Sequence, residues 1–123
     1  MIRTNVWIPD TCRCEIEYTW DDSVPAEQRI HIPKSVKKCM AHDGVDEPTA
    51  YGKVKEENDN KNIAVGMMME QFPEIRNSIE DISFRFSEDR NKIFVSHKSL
   101  KGADKSALNL LPKIGLTKEI EFE

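Results

Sequence analysis

The chain lacks most of the features that assign a protein quickly to a class. No apolar run exceeds three residues, as at Met67–Met69, whereas a membrane-spanning helix needs about 20. No Gly/Ser-rich linker, low-complexity tract or internal repeat divides the sequence. Neither G-x-x-x-x-G-K-[ST] nor G-x-G-x-x-G occurs, so no phosphate-cradling loop is signalled. H-E-x-x-H is missing, as is the H-x-E with P-C-x-x-C of nucleobase deaminases. Positive charge is not in excess: 18 Lys+Arg stand against 22 Asp+Glu, a net charge of −4. Nonspecific nucleic-acid binding through overall charge is therefore not expected.

Apolar residues are also scarce, at 38% against 33% charged, which predicts a thin core. Cysteine is limited to three residues, all within the first 39. An odd count argues against a disulfide framework. The N-terminal stretch MIRTNVWIPD has no apolar h-region and no small-residue cleavage site. The expectation is a cytoplasmic protein without a secretory signal or membrane segment.

The patterning predicts α+β architecture: a largely antiparallel sheet with two or three packed helices and an N-terminal zinc knuckle. Residues 14–20 alternate, with Cys14, Ile16, Tyr18 and Trp20 on one face, the signature of a half-buried strand. Strands are expected at 5–8 and 28–32, the latter with Ile30 and Ile32 inward. Ser35 reads as the N-cap of a short helix through His42. Asp46, Pro48 and Thr49 open a longer helix that Pro73 ends. Within it lies KEENDNKN (55–62), which reads as a solvated face. Residues 82–86 and 92–97 alternate as a hairpin, 103–111 form a short helix, and 116–122 a final strand. One domain is expected over 1–123: a metal-knuckle meander (1–45), a long helix (46–73) and a ββαβ unit (74–123).

The chemistry concentrates in Cys12, Cys14, Cys39 and His42, spaced C-x-C-x24-C-x2-H. Zinc takes four tetrahedral ligands, and Cys3His is a common structural set. The two short pairs flank a strand-turn-strand that would return the chain to its starting edge. A structural Zn2+ is the leading expectation, because four protein ligands close the shell that a catalytic zinc leaves open. Buried free thiols and redox or copper chemistry are the alternatives.

A second feature is the basic segment holding Arg90, Lys92, Lys98, Lys101 and Lys105 with Asp104 as its sole acid. It reads as an ordinary solvated hairpin and loop, or as a nucleic-acid or phosphate contact. His31 is expected on the surface and His97 as a satisfied sheet-edge residue. Met67–Met69 are expected to fill core.

The segments DTCRCEIEYTWDD (10–22), VPAEQR (24–29), VKKCMAH (36–42) and EENDNKN (56–62) resemble small proteins of bacteriophage and metagenomic origin. That resemblance implies a compact metal-knuckle protein and no particular activity. The ligand spacing is similar to zinc ribbons too, departing from them in C-x-C where ribbons use C-x2–4-C. The expected function is a non-enzymatic, zinc-stabilised interaction module with a protein partner. The alternatives are a nucleic-acid-binding accessory protein and a thiol redox or metal-handling protein.

Overall fold

The computed structural model describes residues 1–100, Leu108 and 115–123. The fold is α+β. In order, the elements are β1 (Ile2–Trp7), β2 (Glu15–Asp21), β3 (Ile32–Lys37), α1 (Glu47–Gln71), β4 (Ile82–Phe86), β5 (Lys92–His97) and β6 (Glu119–Phe122). Stretches of 3-10 helix occupy Ala26–Gln28, Pro73–Asp81 and Lys98–Leu100. The single sheet expected from the patterning is instead two three-stranded sheets, β1-β2-β3 and β4-β5-β6. The chain divides into two compact units, Met1–Asn58 and Asp59–Glu123.

In the first unit β2 is the central strand, antiparallel to both β1 and β3. Its alternation buries Ile16 with Cys14, Val36, Ala50 and Val54, and Trp7, Cys12, Cys39, Val45 and Tyr51 pack around them. This core is small, and two of its members at the rim are cysteines. Two local expectations fail here. Residues 28–31 are not strand, β3 beginning only at Ile32, and Ile30 and Ile32 are 76% and 52% exposed rather than inward. Arg29 instead ties the turn down, its guanidinium donating to the carbonyls of Val24 and Asp22. The helix expected from Ser35 to His42 is also absent: β3 runs through that start, pairing Ser35 with Glu17 and Val36 with Ile16. The Val36 N–H donates to the Glu47 carboxylate at 2.6 Å. With these partners in place, an extended chain satisfies the backbone as fully as a short helix would.

α1 starts where the sequence signals it. The Asp46 carboxylate accepts the Thr49 N–H at 3.0 Å, an N-cap that also places negative charge at the positive end of the helix. Hydrogen bonds from Thr49 hold the Asp46 carboxyl below the usual carboxylate range.

In the second unit β4 and β5 form the expected hairpin, in register from Ile82 opposite His97 to Phe86 opposite Ile93. β6 joins β5 in parallel. The core is Ala64, Met68, Ile75, Ile93, Val95 and Ile120, with Met69 and Phe72 packed against it. Met67 and Met68 are buried, so the methionine run is core filling. The helix expected at 103–111 lies outside the described residues except for Leu108, which is buried.

The KEENDNKN segment departs from its expected solvated character, because Glu57 and Asn60 are 2% and 1% exposed. Asn60 secures the entry to β6: its Oδ1 accepts the N–H groups of Thr117 and Lys118 at 2.9 and 3.0 Å, and its Nδ2 donates to Thr117 Oγ1 at 2.9 Å.

Two predictions follow from these contacts. Asn60→Ala removes the acceptor of the Thr117 and Lys118 N–H groups and lowers stability by about 1–3 kcal/mol in urea unfolding. The cap makes stability acid-sensitive: Asp46 has a folded pKa below its ordinary 3.8. Its contribution is therefore present above that value and lost as the pH falls through the lower, folded one. Asp46→Asn keeps the acceptor, so thermal melts of this variant lose that part of the acid dependence.

Candidate metal centre

The register of the first sheet assembles the centre. Glu15, the first residue of β2, pairs with Lys37, the last of β3. Residues just before β2 and just after β3 therefore share one end of the sheet. Those residues are Cys12 and Cys14 on one side and Cys39 and His42 on the other. The second pair sits in a turn, closed by the His42 N–H donating to the Cys39 carbonyl at 3.1 Å. The i, i+3 spacing thus juxtaposes both side chains without the predicted helix.

The ligand atoms of Cys12, Cys14, Cys39 and His42 all lie within 4.8 Å of one another, and the group could hold a metal ion. Cys14 Sγ and Cys39 Sγ are 3.5 Å apart. His42 Nδ1 stands 3.6 Å from Cys14 Sγ and 3.2 Å from Cys39 Sγ. In a tetrahedron with metal–sulfur bonds of about 2.3 Å and metal–nitrogen bonds of about 2.0 Å, sulfurs stand about 3.8 Å apart and sulfur and nitrogen about 3.5 Å. The three edges among Cys14, Cys39 and His42 fit those values within a few tenths of an ångström, and Cys12 Sγ lies within 4.8 Å of each of these atoms.

Glu57 completes the arrangement. Its Oε2 lies 2.9 Å from His42 Nε2, and both side chains are almost wholly buried, at 3% and 2% exposed. With Nε2–H donating to the carboxylate, the Nδ1 lone pair faces the sulfurs. Such carboxylate–histidine pairs orient metal-binding imidazoles and raise their basicity. Glu57 was the functional residue that sequence reasoning missed. Its signal is positional: Ala50, Val54, Glu57, Ala64 and Met68 follow one buried stripe of α1, and the carboxylate interrupts that stripe.

The thiols differ in acidity. Burial pushes Cys12 up to about 12, from an ordinary 9.0, with the neighbouring thiols adding to the shift. Burial also raises Cys14, partly offset by the Cys39 N–H that donates to its sulfur at 3.3 Å. Burial opposes ionisation of Cys39 as well, but the adjoining His42 ring, the Cys14 thiol and backbone N–H groups together outweigh it and bring the thiol down to about 6. A cation bound among the three sulfurs would favour all three thiolates.

The remaining histidines are placed elsewhere. His31 is exposed, with its ring 4.8 Å from that of Tyr18. His97 is buried and fully engaged: Nε2 reaches the Ser78 carbonyl at 2.9 Å, and Nδ1 accepts from Ser99 N–H and Oγ at 3.1 and 2.7 Å. It bridges two segments of the second unit and is satisfied as expected, but it lies on β5, the central strand, rather than at a sheet edge.

The basic segment is less free than its composition suggests. Lys92 pairs with Glu121 at 2.7 Å and with Glu119 at 3.6 Å. The hydrogen bond to Glu121 raises its pKa. Arg90 lies over the Phe86 ring at 4.2 Å, while Lys98 is exposed. Lys101 and Lys105 fall outside the described residues. No helix among the described residues is long and apolar enough to cross a membrane.

Comparison of the chain with protein-family models, curated proteins and solved structures finds no match. The functional reading therefore rests on the chemistry of the site itself.

Removing the carboxylate partner should loosen the centre without removing a ligand. Glu57→Ala is expected to weaken divalent-metal binding about 10–100-fold in a chelator-competition titration, with Glu57→Gln weakening it less.

Proposed function

We propose that this chain is a non-enzymatic binding module whose first unit is stabilised by a structural Zn2+ held by Cys12, Cys14, Cys39 and His42. One observation carries the reading: three sulfurs and one imidazole nitrogen, brought together from the two ends of a strand-turn-strand, lie within 4.8 Å of one another, and the edges among Cys14, Cys39 and His42 have tetrahedral lengths. Thiolate-rich tetrahedral sets favour zinc among the common divalent ions. Four protein donors leave no position for water or substrate, which supports a structural role over a catalytic one. A metal here also compensates for the small core, because binding energy becomes folding energy. Free thiols suit a cytoplasmic setting, where they stay reduced. The partner half of the reading is supported by apolar side chains left in solvent on the first unit, notably Ile30 and Met40, at 76% and 91% exposed.

The test is metal analysis of protein expressed in zinc-replete medium. About one equivalent of zinc per chain is expected, as is a cobalt derivative with the charge-transfer and d–d bands of tetrahedral thiolate coordination. Cys39→Ser should lose the metal and the cooperative unfolding of the first unit together. Substoichiometric zinc in well-folded protein overturns the reading.

A further inference from the structure

The inward face of the first sheet carries more aromatic surface than its core uses. Ile16 is buried there, but Trp7 and Tyr18, on the same face, are only half-buried. Beside them opens a cavity of about 470 Å³ lined by Trp7, Tyr18, Tyr51, Arg29, His31 and Lys55, among others. That volume lies within the roughly 300–1,000 Å³ typical of small-molecule sites. The wall is built from rings: Tyr18 and His31 are tilted by 36° with centroids 4.8 Å apart, and Tyr51 faces in from α1.

The charges are one-sided. No carboxylate lines the cavity among the described residues. The Arg29 guanidinium stacks 4.5 Å from the Trp20 ring and donates to two backbone carbonyls, so its charge is held in place by contacts that do not neutralise it. Lys55 is exposed and follows Tyr51 by one helical turn, which sets ammonium and ring on the same side of α1. In a chain of net charge −4, a cavity with two cations and no acid selects an anion. Its rings select a flat π-surface, the pairing of stacking platform and cationic track found where proteins hold unpaired nucleotides.

We propose that this cavity binds a nucleotide, the base stacked against Tyr18 and Tyr51 and the phosphate on Arg29 and Lys55. The ligand is either a free nucleotide or a nucleotide presented by a single-stranded nucleic acid. The site shares no residue with the metal centre and none with the basic segment of the second unit.

Titration of the full chain at low salt tests this. Trp fluorescence follows AMP, ribose 5-phosphate serves as the base-free control, and anisotropy follows a labelled oligothymidylate. Saturable binding of AMP supports a free-nucleotide site, and binding of the oligomer with only weak AMP binding supports a strand site. In either case Lys55→Glu, on an exposed helix position, should weaken binding about tenfold or more and flatten its salt dependence. Tyr18→Leu, which keeps the strand apolar, should do the same through lost stacking. Lys98→Glu should leave binding unchanged. The proposal is overturned if neither AMP nor the oligomer binds at millimolar concentration. It is also overturned if ribose 5-phosphate binds as tightly as AMP, or if Lys98→Glu weakens binding while Lys55→Glu does not.

Discussion

The hydrogen bond between Glu57 and His42 is the contact on which the first unit turns. A carboxylate buried in an apolar setting is costly unless it is paired. Placing one on the covered side of α1 commits the helix to the imidazole opposite it. The same bond selects the imidazole tautomer, so Nδ1 carries its lone pair toward Cys14 and Cys39. The turn after β3, the third turn of α1 and the residues before β2 are thereby held by one polar cluster rather than by hydrophobic bulk. The modest apolar content of the chain is workable because of this arrangement. A few aliphatic residues exclude water around the cluster, and the cluster fixes the positions that larger side chains would otherwise fix.

How much of this was legible in the sequence depended on the range of the information. The alternation of Ile16, Tyr18 and Trp20 and of Ile93, Val95 and His97 is local, and the strands formed close to where it placed them. The caps of α1 are local too: Asp46 starts it and Pro73 follows its end. The four-member Cys/His set was visible because its spacing falls into two tight pairs. Errors arose where partners distant in sequence decide. Ser35 has the chemistry of an N-cap, yet β2 offers its neighbours a ladder, and the ladder prevailed. Ile30 and Ile32 look like core residues, yet the turn held by Arg29 leaves them in solvent. Glu57 and Asn60 sit in the most polar run of the chain and are among its most buried side chains. Polarity there reports specific partners, His42 for one and the amides before β6 for the other, rather than exposure.

Charge offers a similar lesson. A window of five basic residues suggested a patch, but a window cannot show that β6 returns alongside β5 with Glu119 and Glu121 opposite Lys92. A second pair of cations lies elsewhere, at Arg29 and Lys55, two residues separated in sequence and unremarkable singly. They become significant only when the sheet and helix bring them to one aromatic-lined cavity.

The order of the parts along the chain has a consequence for synthesis. Every ligand of the candidate centre, and the carboxylate that orients it, has left the ribosome once residue 57 has emerged. N-terminal units commonly fold as they are made, so the first unit can assemble, and take up a cation, while the rest is still being translated. The second unit has no such head start. Its sheet is closed by β6, a parallel strand whose partner β5 precedes it by more than twenty residues, so its core stays open to water until translation has reached residue 122.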